Sequence, residues 1–265
     1  MIETFEELLA RVTLPEPADA MIRRVVRAAE KATPRSLQAT IGLSEIGAEC
    51  DRQLAYKLAG VEGRDSGRDN WLATVGTAVH AWLADAFTAE NERLGRERFL
   101  VERRVWLTGE LSGTCDLFDT DTGSVVDHKV LGVTSLRAIR NGVIPPKYRV
   151  QLHSYGRGWV HAGQQVRRVV LACYPRSDNL QGDFSGKGLY AFTEPYEQCI
   201  ADLAVERVEQ LRLTVEAGVG WERIHATPGV DCRYCPFFNP GGGPADDTGC
   251  PGTPVVMPTS MPGIT

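Results

Sequence analysis

The sequence is short of lysine, of long apolar runs and, over one stretch, of acid. No apolar run approaches the roughly eighteen residues that a membrane-crossing helix needs, so no bilayer span is expected. The beginning, Met1-Ile2-Glu3-Thr4-Phe5-Glu6-Glu7, is acidic and lacks a basic leader, which argues against an export signal and for a cytoplasmic protein. No Gly-x-x-x-x-Gly-Lys-Ser/Thr loop occurs, so a nucleotide-driven motor is not expected. Acid is missing from His128 to Ser177, fifty residues without Asp or Glu. That stretch holds nine basic residues: Lys129, Arg137, Arg140, Lys147, Arg149, Arg157, Arg167, Arg168 and Arg176. The other 20 of the 29 basic residues face all 34 acidic ones, so the formal charge of −5 averages a one-sign block with an acidic remainder. Such a block suggests a local site for an anion, most simply a phosphate backbone, with a solvated basic face as the plainer alternative.

What is present is globular. With 43% hydrophobic and 24% charged residues, 265 residues can bury one large core or two small ones, and disorder or a coiled-coil rod is a poor reading. Helical spacing predicts helices over Glu3–Val12, Ala18–Ala32 and Glu49–Leu58. A long one over Trp71–Leu94 has the apolar set Leu72, Val75, Val79, Trp82, Leu83, Ala86 and Phe87. Strands are predicted at Phe99–Leu107, Leu111–Asp119 and Ser124–Val130; their short links imply an antiparallel meander. Helices follow at Ser135–Asn141 and Pro146–Ala162, strands at Val166–Tyr174 and Leu189–Thr193, and a helix at Tyr196–Ala217. The order implies a mixed α/β core with helices against the sheet. Residues 1–70 read as a helical N-terminal segment, 71–217 as the core, 218–251 as a cysteine-bearing segment and 252–265 as a flexible tail, within a single domain.

Seven cysteines make an odd count, and without an export signal a disulfide framework is improbable. Cys115, Cys173 and Cys199 lie in apolar or helical patterns and read as small core residues. Cys232-Arg233-Tyr234-Cys235 is a CxxC in irregular sequence; Cys250-Pro251 follows it and Cys50 lies far upstream. A CxxC puts two thiolates on one turn, able to share a metal centre. On spacing alone a zinc site and an iron–sulfur cluster are about equally good readings.

The third strand reads Val125-Val126-Asp127-His128-Lys129-Val130, and alternation places Asp127 and Lys129 on one face. The preceding strand carries Asp116 in Gly113-Thr114-Cys115-Asp116. Aspartates on neighbouring strands can share a hard cation such as Mg²⁺ or Mn²⁺, and a lysine beside them can orient water and stabilise charge developing on phosphorus. A strand-end Asp–Lys ion pair is the plainer alternative. Before this pair the long helix offers Gly76-Thr77-Ala78-Val79-His80; after it comes Gln151-Leu152-His153-Ser154-Tyr155.

The ordered set resembles the PD-(D/E)xK nuclease superfamily. It is most similar to the RecB-like exonucleases that include the fourth CRISPR-associated protein and the AddB nuclease domain. Those families have a helix histidine, a GxxD, a (D/E)xK and a QxxxY in this order, with one cysteine before the core and three after it holding a 4Fe–4S cluster. The resemblance runs from about Leu43 to Pro251. It implies a restriction-endonuclease-like fold, a mixed sheet flanked by helices with the terminal segments joined by the cluster. It further implies a metal-dependent DNA exonuclease acting on single strands or ends, in recombination, repair or CRISPR-adaptation-like processing in a bacterial or phage-infected cell. The implied metal ligands are His80, Asp116, Asp127 and the backbone carbonyl of His128, with Lys129 positioning the attacking water. Tyr155 would pack while Gln151 touches the substrate strand or orients Lys129. Cys50, Cys232, Cys235 and Cys250 would hold the cluster. Arg149, Arg157 and Lys147 are the candidates for tracking phosphates. For Glu102 a place near the metals and a surface salt bridge are both open, the salt bridge being the preferred reading. Two departures stand out: Asp127 replaces the commoner Glu, and the gap from Cys235 to Cys250 is longer than usual. A DNA-binding adaptor that works only with a recombination or spacer-acquisition partner, a homo-oligomer, and a zinc-stapled nuclease are the alternatives.

Overall fold

The computed structural model describes residues 18–31, 41–64, 71–176, 189–240, 245–246 and 248–252. The expected helix at Glu3–Val12, the Gly241–Gly243 loop and the tail beyond residue 252 lie outside them. The expected mixed α/β core is present. Helices α1 (Ala18–Lys31), α2 (Asp51–Leu58) and α3 (Trp71–Leu94) precede strands β1 (Phe99–Trp106), β2 (Ser112–Asp119) and β3 (Ser124–Leu131). After them come α4 (Val133–Arg140), α5 (Pro146–His161), β4 (Arg168–Pro175), β5 (Tyr190–Pro195) and α6 (Gln198–Glu216).

The five strands form one sheet in chain order. β1, β2 and β3 are the expected antiparallel meander. β4 lies parallel to β3, and β5 antiparallel to β4. A parallel neighbour cannot be reached by a tight turn, and α4 and α5 supply the crossover. The β2–β3 turn closes at Gly123, whose φ of +64° side-chain-bearing residues rarely adopt.

α3 and α5 cover opposite faces. Phe87 of α3 meets Phe99 of β1 edge-on at 5.1 Å, whereas Trp159 of α5 stacks on Phe118 of β2 at 4.8 Å. The apolar stripe of α5 (Leu152, Tyr155, Trp159) is buried, and Leu43, Ile46 and Leu54 from the N-terminal segment join the same core. Two expectations fail here. In α3 only Leu83 is fully buried, and Leu72 and Trp82 face outward, because one stripe of this helix suffices to cover its part of the sheet. Cys199 is exposed at the start of α6, unlike the buried Cys115 and Cys173. Among the described residues, no helix is long and apolar enough to cross a membrane.

Candidate active site

The sheet opens where the sequence places its acids. β2 and β3 pair only through Asp119↔Ser124, Phe118↔Val125 and Leu117↔Val126. Asp116 and Asp127 are the next residues on each strand, so both carboxylates stand at the fork where the strands part. Freed from the β2 ladder, the His128 backbone N–H donates to Asp116 Oδ2 at 2.7 Å.

β1 and β2 also turn over at this level. Their register is continuous, yet it skips the pair Glu102 and Asp116. Phe99 faces α3, but Val105, an even number of residues on, lies against Gly158 of α5. In β2, Phe118 and Cys115 both lie against Trp159 although three residues separate them. Regular alternation forbids both relationships. Among the described residues, Glu102 is the one non-glycine with positive φ, 49°. The switch turns Asp116 away from the face of Phe118 and toward α3, where His80 Nδ1 lies 3.4 Å from its Oδ1. Gly113 permits the approach of β2 to the N-terminal segment, since a Cβ there would come within 2.9 Å of Leu43 and 3.1 Å of Tyr155.

His80, Glu102 and Asp116 each offer a ligand atom within 4.8 Å of the others. Glu102, exposed on β1, thus lines the candidate site, and no salt bridge to it is present among the described residues. Counting the pairing outward from the β1–β2 turn places it opposite Asp116, a signal the sequence carried. Asp127 stands beside this trio rather than in it. It is 1% exposed, with Lys129 Nζ 2.5 Å from its Oδ2, yet neither carboxylate oxygen has a hydrogen bond of good geometry.

The electrostatics follow from burial and neighbours. Burial, joined by the nearby Asp116 charge, pushes the Asp127 carboxyl up to about 6, against the pull of Lys129. Burial would raise Asp116 too, but the His80 hydrogen bond and the charges of His80 and Lys129 outweigh it and hold the group below the usual carboxylate range. The Asp116 hydrogen bond lifts His80 above an ordinary imidazole. Burial works against the Lys129 charge, but Asp127 and Asp116 prevail and keep the ammonium protonated. Burial first, then Asp116, raises Glu102. The Lys129 ammonium also lies 5.3 Å from the Tyr148 ring centroid, a contact the sequence reading missed.

The remaining expected residues divide. Gln151 and Tyr155 are both buried; Gln151 Nε2 donates to the Tyr155 hydroxyl at 3.1 Å. That hydroxyl is raised well above its ordinary range by burial and then by the Asp127 and Asp116 charges, so the pair floors the site. The His128 ring is buried against Phe87 and His80, and the Tyr174 hydroxyl lies 3.3 Å from its Nδ1. Burial pushes that imidazole down to about 4, so it is neutral. Arg149 grips Glu194 with two hydrogen bonds, and Arg157 pairs with Asp202. These guanidiniums tie α5 to β5 and α6, and a phosphate would have to compete for them. Lys147 lies near the Tyr148 ring, at 5.9 Å.

The four expected cysteines gather on the other side of the fold's N-terminal segment. Cys50 is the N-cap of α2. Burial pushes the Cys235 thiol up to about 11, with Cys50, Cys250 and Cys232 adding to the shift, which places all four in one neighbourhood. Among the described residues, no three of these sulfurs come within 4.8 Å of one another.

No family model matches the chain, and no curated protein does. Three solved structures have a similar arrangement. LHK-Exo in complex with dAMP aligns with a TM-score of 0.48 and 13% identity over 68% of this chain and 89% of that one. An alkaline exonuclease (LHK-Exo) from Laribacter hongkongensis aligns at 0.41 and 14% over the same shares, 68% and 89%. A phage related exonuclease from Haemophilus somnus aligns at 0.43 and 12%, covering 64% of this chain and 80% of that one. At such values none of them lends a residue role to this chain, whose site is read from its own geometry.

Proposed function

We propose that the chain is a metal-dependent DNA nuclease that hydrolyses phosphodiester bonds at the β2–β3 fork, acting as an exonuclease on single strands or ends. The observation that carries the reading is the convergence of His80, Glu102 and Asp116, whose ligand atoms lie within 4.8 Å of one another beside the buried Asp127–Lys129 pair. Lys129 meets one oxygen of Asp127, and the neighbouring carboxylates of Asp116 and Glu102 add negative charge that a bound cation would offset. Carboxylate oxygens suit Mg²⁺ or Mn²⁺, and the His80 imidazole nitrogen favours the softer Mn²⁺ of the two. His80, Asp116, Asp127 and Glu102 would hold the ion, which when bound supplies charge neutralisation at the phosphate and a more acidic water.

The chain's own groups do the rest. Lys129 stays protonated between Asp127 and Asp116, so it serves as a hydrogen-bond donor to water or a phosphate oxygen rather than as a base. Tyr148 beneath it and Asp127 beside it fix its direction. The His128 amide holds one oxygen of Asp116 and leaves the other facing His80. Gln151 and Tyr155 keep water from the floor. The exonuclease choice is supported by the ordered motifs described above, and the complete acid–lysine set favours a self-sufficient enzyme over an adaptor.

We further propose a 4Fe–4S cluster on Cys50, Cys232, Cys235 and Cys250. The CxxC at Cys232 and Cys235, Cys250-Pro251 and the upstream Cys50, taken with the ordered motifs above, support the cluster, with a zinc site as the alternative that iron analysis separates. Digesting end-labelled single- and double-stranded DNA with the purified chain in Mn²⁺ tests the activity. Shortening from labelled ends is expected, and no cleavage of either form would overturn the reading.

A further inference from the structure

Arg52 is 2% exposed, and no carboxylate pairs with it among the described residues. The adjacent Asp51 is occupied by Arg207. Arginine stays charged, and a buried charge without an opposite partner is costly. Its Nε and Nη2 donate to the Ile224 carbonyl at 3.2 and 3.0 Å, and Nη2 reaches the Glu222 carbonyl at 3.4 Å. These neutral acceptors relieve the N–H groups but not the charge. The remaining arm, Nη1, donates to Cys250 Sγ at 3.5 Å.

Two backbone amides do the same: Gly252 N–H points at Cys250 Sγ and Gly229 N–H at Cys232 Sγ, each at 3.4 Å. Three N–H donors aimed at two cysteine sulfurs suit thiolates better than thiols, because a thiolate is the stronger acceptor. Arg52 also lies two residues from Cys50, and its own N–H donates to the His225 carbonyl. One side chain thus joins the first cysteine's helix to the segment bearing the last.

We propose that Arg52 is the counter-cation and positioning residue of the thiolate-held cluster at Cys50, Cys232, Cys235 and Cys250. The inference rests on the four-cysteine reading above. Four thiolates around a cluster leave a net negative charge, and Arg52 is the buried cation that offsets it. Its hydrogen bond to Cys250 slows loss of the least securely spaced ligand. Net charge beside a cluster also sets its potential, so the Arg52 charge holds the midpoint up.

The test compares the full chain, purified without oxygen, as wild type, Arg52→Met and Arg52→Lys. Iron, sulfide and the visible spectrum report the cluster, chelator-driven bleaching reports its release, and a dye-mediated titration reports its midpoint. Arg52→Met should lose iron at least about tenfold faster, the usual scale for an outer partner of a metal ligand, with a more negative midpoint. Arg52→Lys keeps the charge but not the fork, so it should keep the midpoint and lose iron faster. Wild-type release and midpoint in Arg52→Met would overturn the proposal. If that variant does not fold, Arg52→Lys decides: wild-type release overturns the proposal, and faster release at an unchanged midpoint supports it. A wild-type chain with one zinc or no metal would overturn the cluster and this inference together, leaving the nuclease reading to its own assay.

Discussion

The strand fork and the cysteine site gather polar groups by opposite means. At the fork, the candidate metal-holding residues come from β1, β2, β3 and α3, all within residues 80–129. Sheet pairing, with α3 packed against it, sets their positions. At the cysteine site, an α2 N-cap meets sulfurs on irregular chain some 180 to 200 positions later in sequence. There Arg52, Tyr56 and backbone bonds such as Arg64 N–H to Pro236 O hold the ends together. The difference teaches that a site built on a sheet can be preorganised cheaply for chemistry. A site built on loops depends on the group it holds, and acts as a staple.

The predictions probe that division. The largest effect is expected from Asp116→Asn, which removes the ligand that β2's turnover delivers. Mn²⁺ affinity by calorimetry should fall by more than the roughly 100-fold that losing an outer-shell partner costs, with an unchanged melting temperature. Cys50→Ser should do the reverse. Iron should fall to background and the melting temperature should drop, while Mn²⁺ affinity at the fork stays within about twofold, as for independent sites. A large loss of Mn²⁺ affinity in Cys50→Ser would break the comparison.

Acidity gives a smaller, graded effect. Asp127 titrates near 6 without metal and must be ionised to bind it. Protonation therefore competes with metal as pH falls. Lowering pH from about 7.5 to about 5.5 should weaken Mn²⁺ binding about fourfold through Asp127 alone. Smallest is Glu102→Gly. Relief of the left-handed backbone at φ 49° should raise the melting temperature by roughly 2–4 °C, for about 1 kcal/mol of strain. Metal affinity should fall in the same variant. Glu102→Gln keeps the strain, so it should lose affinity without gaining stability.

Much of the fork was legible because its logic is local. Alternation fixed Asp127 and Lys129 on one face, and hairpin length brought Asp116 beside them. Glu102 was ranked as a salt-bridge residue because alternation is the rule that this strand breaks, and counting register from the turn is what favours its place near the metals. The acid-free stretch is only partly legible for a different reason. Three of its nine cations are met by acids from outside it, Lys129 by Asp127, Arg149 by Glu194 and Arg157 by Asp202, so linear charge does not by itself report local charge. The α3 stripe overstated burial, since apolar spacing marks where a helix could pack but not how much of it a five-stranded sheet reaches. Arg52 was invisible, because burial of a lone cation depends on carbonyls that arrive from residues 222–225.

The central claim is that the fork holds a metal through a buried carboxylate to cut DNA. The most direct test is the single-turnover rate at which the full chain cleaves an end-labelled strand in saturating Mn²⁺, wild type against Asp127→Asn. The account predicts cleavage by the wild type and a loss of about 1,000-fold or more in the variant, at equal melting temperature. Equal rates in the two proteins would contradict it.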